Sequence, residues 1–170
     1  FLYMLGNDSK YLIIMRHADA IKHNPAINDL DRDLSEQGIT QASLSANFLA
    51  NNPHFIPQLI ISSNAKRVLH TAEIVVDKLN LPYNIIVVKD TLYSGDLNAY
   101  LDTIYQVDDE IRKVMILGHN PSISMLSTLL TNNEVNKMKT ASMLGIEIIN
   151  NKWLNFDLKP IKKLFYFSPE

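Results

Sequence analysis

Two arginines and two histidines follow short apolar runs of the chain, and their side chains are suited to binding and attacking phosphate. They are Arg16, His17, Arg67 and His119. A guanidinium presents paired N–H donors to phosphate oxygens, and a neutral imidazole keeps a lone pair for nucleophilic attack. We therefore predict a site for a compact dianion, with phosphate as the obvious ligand.

Alternating strands and helices are expected to position these residues. Short apolar and β-branched runs predict strands, which lie over residues 11–15, 59–61, 85–88, 114–117, 145–149 and 164–167. Apolar residues spaced three and four apart predict helices, which lie over residues 35–50, 65–79, about 97–104 and from 121 onwards. Ser35 and Asn120 are the expected N-caps of the first and last helix, and Pro121 is expected at the first helical position. A hairpin through Asn150 and Asn151 to residues 153–156 is also predicted.

This alternation predicts an α/β fold, namely a single three-layer αβα domain around a mostly parallel sheet. In such a sheet the carboxyl ends of the strands share one edge, and open α/β sheets bind ligands there. The four residues are therefore expected to meet, although 102 positions separate the two histidines (119 − 17). Ser63 and the N-terminus of the last helix are expected at the same edge.

Composition and charge narrow the function further. The chain of 170 residues is 46% hydrophobic and 20% charged, has a formal net charge of −2 and contains no cysteine. These values predict one globular domain over residues 1–170, with its core at about 10–168, and they argue against nucleic-acid binding and thiol chemistry. No apolar run exceeds five residues, so we expect no membrane segment. The absence of cysteine fits a cytoplasmic location, which we expect for this chain. Whether Phe1–Tyr3 are native residues is left open.

Each of the four residues also has an ordinary structural interpretation. A single histidine after a strand is more often a structural group than a catalyst, and an arginine on a helix is usually a solvated charge. Arg16 differs because it ends an apolar strand, where an unpaired charge is costly. The expected convergence of all four residues is what favours a functional site.

Several segments resemble the histidine phosphatase superfamily, which includes the phosphoglycerate mutases and acid phosphatases. The segment LIIMRHADA is similar to the Arg-His motif that opens this superfamily, and MILGHNPSISML is similar to its second-histidine motif. The segments RDLSEQGITQA and IISSNAKRVLHTAEIV resemble two further motifs of the superfamily. The residues GHNP and the segment TASMLGIEI resemble its small phosphohistidine phosphatase (SixA-like) branch. The resemblance extends to the late segment KPIKKLFYFSP, so that it covers about residues 11–169 and implies a phosphoglycerate mutase-like fold without large cap insertions.

The resemblance implies a phosphatase that needs no metal and no other cofactor. His17 is implied as the nucleophile that forms a transient phosphohistidine, which water then hydrolyses. Arg16, Arg67 and His119 are implied to bind and neutralise the phosphoryl group, and Ser63 is a further candidate donor. Four positions depart from the usual family pattern, namely Asp33, Asn64, Val68 and His70. None of these departures removes a cation from the predicted site.

The general acid is less clear from the sequence. Asp96 is a candidate by position, although a helix N-cap is the more common role of such an aspartate. Asp19 is close to His17 along the chain, but it is equally suited to pairing with Arg16 or holding a loop. Tyr93 is expected to be a packing residue. His23 and His54 have no evident chemical partner, and His70 is expected near the edge of the site.

Several functions remain open at this point. The leading hypothesis is a phosphatase for phosphohistidine on a phosphotransfer protein, and the main rival is a phosphatase for a small phosphomonoester or nucleotide. A mutase is less favoured, because it needs a deeper closed pocket. A non-catalytic phospho-ligand binding module and a metallohydrolase built on His17, Asp19 and His119 are the remaining alternatives.

Overall fold

Six strands form one mixed sheet in the computed structural model, which describes residues 9–170. The strands are β1 (Ser9–Arg16), β2 (Leu59–Ser62), β3 (Ile86–Val88), β4 (Lys113–Gly118), β5 (Met143–Ile149) and β6 (Ile161–Phe167). Their order is β3-β2-β4-β1-β5-β6, and the first four pair in parallel. β5 is antiparallel to both β1 and β6, so the sheet is mostly parallel. Phe1–Tyr3, whose native origin the sequence leaves open, lie outside the described residues.

Four helices cover the two faces of the sheet. They are α1 (Glu36–Ala50), α2 (Lys66–Leu79), α3 (Leu97–Tyr105) and α4 (Ser122–Leu130). α1 and α2 pack against one another on one face, and α3 and α4 pack together on the other. The predicted three-layer αβα architecture is therefore confirmed.

β1 is central because both of its faces are buried. Leu12 and Ile14 belong to the core under α3 and α4, whereas Ile13 and Met15 belong to the core under α1 and α2. A strand covered on both faces has a continuous apolar run, which explains the pattern that predicted it. The strand is longer than predicted and ends at Arg16, where the apolar run stops.

The start of α1 matches the prediction, but one residue of its predicted buried face does not. Ser35 is the N-cap, and its Oγ accepts a hydrogen bond from the Gly38 N–H at 3.0 Å. The spacing of Ile39, Ala42, Ala46 and Leu49 by three, four and three residues predicts that all four are buried, yet 42% of the Ile39 surface is exposed. Gln41 and Ser45 are buried in its place, because both donate or accept hydrogen bonds within the fold.

Asn120 is not the N-cap of α4, contrary to prediction. The helix begins at Ser122, one residue later than predicted, and Pro121 occupies the N-cap position without a side-chain hydrogen bond. The Asn120 side chain instead bridges two segments: its Nδ2 donates to the Met138 carbonyl at 3.1 Å, and its Oδ1 accepts from Ser124 Oγ at 2.6 Å. This bridge ties the segment after α4 to the start of the helix.

The predicted hairpin strand over residues 153–156 is wrong. Trp153 and Phe156 are fully buried in the core, and a 3-10 helix begins at Phe156. Trp153 Nε1 donates to the Ile111 carbonyl at 2.8 Å, which satisfies its only polar group. Burying both aromatic rings on one side requires a turn, because residues three apart in a strand point to opposite faces. β6 is the antiparallel partner of β5 instead, and it is an edge strand as predicted.

Within residues 9–170, none of the helices has the length and apolar character needed to cross a membrane.

Candidate active site

Parallel pairing of β1 with β4 places the two histidines side by side. Arg16 is in register with Gly118, and the His17 N–H donates to the Gly118 carbonyl at 3.2 Å. The residues that follow the two strands, His17 and His119, therefore leave the sheet at the same edge. Their ring centroids are 5.3 Å apart, with an angle of 61° between the ring planes.

The tautomer of His17 follows from its hydrogen bond. His17 Nδ1 lies 2.8 Å from the Ala18 carbonyl oxygen. A carbonyl oxygen only accepts hydrogen bonds, so Nδ1 carries the proton and Nε2 keeps the lone pair. Burial, with smaller contributions in the same direction from the charges of Arg67 and Arg16, lowers the pKa of His17 to about 3. His17 is therefore neutral at pH 7 and has a free lone pair at Nε2.

His119 is held from two sides. Its Nε2 lies 2.9 Å from Ser63 Oγ, and its main-chain N–H donates to the Tyr100 hydroxyl at 3.1 Å. Gly118 makes this second contact possible, because a Cβ at position 118 would lie 2.0 Å from the Tyr100 hydroxyl oxygen. Burial lowers the pKa of His119 to about 4, and Arg67 contributes in the same direction.

Both arginines lie close to the histidines, and each has a protein partner. Arg16 Nη1 donates to the Met138 carbonyl at 3.1 Å, while its buried Nε has no hydrogen-bond partner within residues 9–170. Arg67, from the first turn of α2, is buried and pairs with Asp29. The structure thus brings Arg16, His17, Arg67 and His119 together, and a dianion is the ligand that matches their charge.

Ser63 contacts the imidazole ring of His119. Its side chain is fully buried, and its Oγ contacts both His119 Nε2 and the Ala65 N–H, at 2.9 and 3.3 Å. This geometry favours Ser63 as a residue that orients His119. Direct donation from Ser63 to phosphate stays a prediction.

The two candidate general acids are engaged in structural hydrogen bonds. Asp96 is the N-cap of α3, where its Oδ1 accepts from the Ala99 N–H at 3.1 Å. Asp19 holds the start of α1, since its Oδ2 accepts from Ser35 Oγ at 2.5 Å. The Asp19 backbone also lies so close to α1 that a Cβ on Gly38 would be 1.9 Å from the Asp19 carbonyl oxygen. The sequence left open whether Asp19 pairs with Arg16 or holds a loop, and its hydrogen bond with Ser35 supports the second role.

The sequence predicted no role for Asp29 in the site, and it predicted only packing for Tyr93. Asp29 begins a 3-10 helix, Asp29–Asp31, in a segment that reads as a solvated loop. Tyr93 does pack, with its ring centroid 5.7 Å from that of His119, but its hydroxyl also donates to Asp29 Oδ2 at 2.7 Å. The crowding of aspartates between Asp29 and Asp33 was the available signal, but it did not indicate a partner on α2.

The other histidines have partners or surroundings different from those of His17 and His119. His54 is exposed and packs against Tyr11, near the opposite end of β1. His23 is exposed in the connection between β1 and α1. His70 Nδ1 lies 2.6 Å from Asp33 Oδ1, so two of the four departures from the family pattern contact each other. Among residues 9–170, no three histidine, aspartate or glutamate side chains are grouped to hold a metal ion.

We expect the protein to lose stability as the pH falls from about 6.5 to about 4.5. In the folded protein the pKa values of His17 and His119 lie well below that of an unfolded histidine, so in this window the unfolded chain binds protons that the folded chain does not. The contribution of these two histidines to the free energy of unfolding is therefore largest above pH 6.5, and it decreases as the pH falls below that value. His119→Asn is expected to remove about 2 kcal/mol of this pH dependence, measured by urea denaturation at pH 7.5 and 4.5. An unchanged difference between the two pH values would contradict the prediction.

A family model and two curated relatives match the chain. The model of the histidine phosphatase superfamily (branch 1) matches residues 12–89, which include Arg16, His17 and Arg67. An uncharacterised chloroplastic protein of Arabidopsis thaliana is 28% identical over 155 residues, covering 85% of this chain and 69% of that protein. An uncharacterised protein of Mycobacterium leprae is 25% identical over 154 residues, covering 84% of this chain and 90% of that protein.

Solved structures share the fold over nearly the whole chain. A SixA protein from Nakamurella multipartitia has a TM-score of 0.80 at 19% identity, covering 95% of this chain and 96% of that one. The protein histidine phosphatase SixA in complex with tungstate has a TM-score of 0.77 at 23% identity, covering 94% and 97%. A mycobacterial glucosyl-3-phosphoglycerate phosphatase has a TM-score of 0.62 at 19% identity, covering 91% and 97%.

The family match and the fold complement each other. The matched residues end before His119, and the fold then places His119 beside His17. The chain is therefore similar to the histidine phosphatase superfamily over residues 12–89, and it has the SixA-like form of the fold. Together, the family match and the fold support a phosphatase.

Proposed function

We propose that this protein is a metal-independent phosphatase that uses His17 as its nucleophile and acts on phosphohistidine carried by a protein partner. One observation carries the chemistry: His17 Nδ1 is bound to the Ala18 carbonyl, which leaves the Nε2 lone pair beside His119 and two guanidiniums. The proposal includes a cytoplasmic location, in keeping with a chain that has no cysteine.

The reaction has two displacements at phosphorus. His17 Nε2 attacks the phosphorus atom in line with the leaving group, the bond to the leaving group breaks, and its electron pair leaves with that group. Arg16, Arg67 and His119 stabilise the negative charge on the three remaining phosphoryl oxygens. Water then attacks the phosphohistidine, and phosphate departs as the electron pair returns to Nε2.

Leaving-group chemistry supports a phosphohistidine substrate. Asp96 and Asp19 are both engaged in hydrogen bonds that hold helix starts, so neither is free to protonate a poor leaving group. An alkoxide needs a proton to leave, whereas imidazole is a weaker base and needs less assistance. The similarity in fold to the protein histidine phosphatase SixA is consistent with this substrate class.

A small phosphomonoester is the second candidate substrate. The fold is also similar to that of a glucosyl-3-phosphoglycerate phosphatase, although the TM-score is lower, 0.62 against 0.77. The two hypotheses are separated by supplying a phosphohistidine-bearing phosphotransfer domain and a panel of sugar phosphates, phosphoglycerates and nucleotides. Efficient turnover of the small esters alone would overturn the protein-substrate proposal. Stoichiometric binding without turnover of either class would favour a non-catalytic module.

We expect Asp96→Asn and Asp19→Asn each to lower phosphohistidine hydrolysis by less than about tenfold. General acid catalysis typically contributes 10²–10⁴-fold, so a small effect means that neither carboxyl group serves as a dedicated acid. The measurement is kcat/KM of both variants on a phosphohistidine protein and on an alkyl phosphate. A thousandfold loss on phosphohistidine for either variant would contradict the argument from the leaving group, and large losses on both substrates would favour the small-ester hypothesis.

Vanadate is expected to inhibit the enzyme, whereas chelators are expected to have no effect. Vanadate adopts the trigonal-bipyramidal geometry of the phosphoryl group in transit, and the guanidiniums supply the positive charge that a metal ion would supply elsewhere. The measurement is a vanadate titration with and without EDTA. Loss of activity in EDTA that a divalent ion restores would instead favour the metallohydrolase hypothesis.

A further inference from the structure

Arg67 contacts one acidic residue, Asp29, through both of its terminal nitrogens. Arg67 Nη1 donates to the main-chain carbonyl of Asp29 at 2.7 Å, and Nη2 donates to Asp29 Oδ2 at 3.0 Å. The Arg67 side chain is 8% exposed and that of Asp29 is 37% exposed. The buried cation is therefore paired with a carboxylate from the connection between β1 and α1.

The Asp29 carboxylate is itself held by two other side chains. The Tyr93 hydroxyl donates to Oδ2 at 2.7 Å, and Arg32 Nη1 donates to Oδ1 at 2.8 Å. These hydrogen bonds, with that from Arg67, keep the pKa of Asp29 well below its usual range, so Asp29 is charged at neutral pH. The Tyr93 ring also packs edge-to-face with the His119 ring, so Tyr93 links Asp29 to the second histidine.

The backbone of Asp29 is fixed as well. Asn28 caps the 3-10 helix Asp29–Asp31, because its Oδ1 accepts from the Leu30 N–H at 3.1 Å. Since one of the two contacts with Arg67 comes from the main chain, Arg67 cannot be released by rotation of the Asp29 side chain alone. This distinguishes a fixed support from a carboxylate that occupies the phosphate position and swings away.

The contact with Asp29 leaves most donors of Arg67 available. A guanidinium has five N–H groups, and Asp29 uses one on each terminal nitrogen. Nε–H and the second N–H of each terminal nitrogen make no other hydrogen bond within residues 9–170. A guanidinium that is fixed on one side and free on the other is preorganised for an anion.

We propose that Asp29 is a positioning residue that orients the guanidinium of Arg67 toward the phosphoryl group, with Tyr93 holding Asp29 in place. This inference rests on the proposed role of Arg67 in binding phosphate. Asp29 carries a negative charge and also repels an anion, so the two effects have opposite signs. The fixed main-chain contact and the free donors make orientation the larger effect.

The experiment compares Asp29→Ala, Asp29→Asn and Tyr93→Phe with a matched control, Asp31→Asn. Asp31 lies in the same 3-10 helix and is exposed, so its replacement changes the net charge of the segment by the same amount as Asp29→Asn. Vanadate affinity is measured by calorimetry, and kcat and KM are measured separately on a phosphohistidine protein. Each Asp29 variant is also combined with Arg67→Ala.

We expect Asp29→Ala to weaken vanadate binding by about tenfold and to lower kcat more than it raises KM. Asp29→Asn should lose less, because an amide oxygen still accepts from Arg67. Asp31→Asn should match the wild type. In the Arg67→Ala background, Asp29→Ala should have no further effect, because a residue that acts only through Arg67 is silent without it.

Three outcomes would overturn the inference. Tighter vanadate binding in Asp29→Ala would show that the carboxylate competes with the anion. An equal loss with and without Arg67 would show a merely structural role. Wild-type affinity in Asp29→Ala would show no role in phosphate binding. Failure of the wild type itself to bind vanadate would overturn the proposed function, and with it the role of Arg67 on which the inference rests.

Discussion

Replacing His17 with alanine is expected to lower turnover by about 10⁴-fold or more while the protein stays folded. The nucleophile forms the bond that divides the reaction into two steps, and loss of such a residue removes nearly all catalysis at the reacting centre. His17 stands just beyond the end of β1, and its ring makes one hydrogen bond, to the adjacent Ala18 carbonyl. The folded state should therefore tolerate the change, as measured by circular dichroism and thermal unfolding.

A trapped phosphoenzyme is the matching positive result for the wild type. Phosphohistidine is labile in acid and stable in alkali, so a phosphate label with that behaviour that is absent from His17→Ala would identify the residue. His54→Ala is the matched control, because His54 is an exposed histidine near the opposite end of β1. Near-normal activity in His17→Ala would contradict the assignment of the nucleophile.

Replacing Arg67 with alanine is expected to lower kcat/KM by on the order of 30- to 1,000-fold. This corresponds to about 2–4 kcal/mol of transition-state stabilisation, the usual contribution of a preorganised donor to a developing charge. The change also leaves the carboxylate of Asp29 with one cation fewer. Thermal unfolding must therefore be measured beside activity, so that lost catalysis is separated from lost stability.

Arg67→Lys is expected to recover only part of this loss. An ammonium group is a point charge, and it cannot contact Asp29 through two nitrogens and still present a planar pair of donors to phosphate. Lys66→Ala is the matched control, because Lys66 is the adjacent cation on α2 and its side chain is exposed. Full activity in Arg67→Lys, or an equal loss in Lys66→Ala, would mean that the guanidinium of Arg67 does not act on phosphate.

Burial on two faces made most of the sheet predictable. The apolar runs that form β1 and β4 are continuous because helices cover both sides of the central strands, so their positions could be read directly. The start of α1 was also predictable, since a serine before a helix has a local hydrogen-bond partner three residues on. Such features depend on neighbours along the chain and on burial alone.

The wrong predictions concern residues whose contacts with distant parts of the chain oppose their local conformational preference. Asparagine is common at helix N-caps, but the Asn120 side chain forms hydrogen bonds with Met138 and Ser124 instead. Tryptophan is common in strands, but Trp153 is held in a turn by packing in the core under α3 and α4 and by its hydrogen bond to the Ile111 carbonyl. In each case a long-range contact stabilises an arrangement that local propensity does not favour.

The paired departures from the family pattern illustrate the same limit. Asp33 and His70 each looked like an isolated change in the sequence, and their roles could not be inferred there. The structure places the two side chains 2.6 Å apart, with Lys66 Nζ 3.1 Å from the other carboxylate oxygen of Asp33. Two changes that seemed independent therefore form one contact between the β1–α1 connection and α2.

The strand ends that carry Arg16, His17 and His119 could be located from the order of residues along the chain, and so could the sheet edge at which they meet. This is so because parallel strands covered by helices on both faces have continuous apolar runs, and the polar residues after them must leave the sheet together. The pairing of Asp29 with Arg67, and the contacts of Tyr93 with Asp29 and His119, arise only in the folded protein. These contacts join segments 38 and 64 residues apart, and no local pattern encodes the pairing of side chains that meet only when the chain is folded.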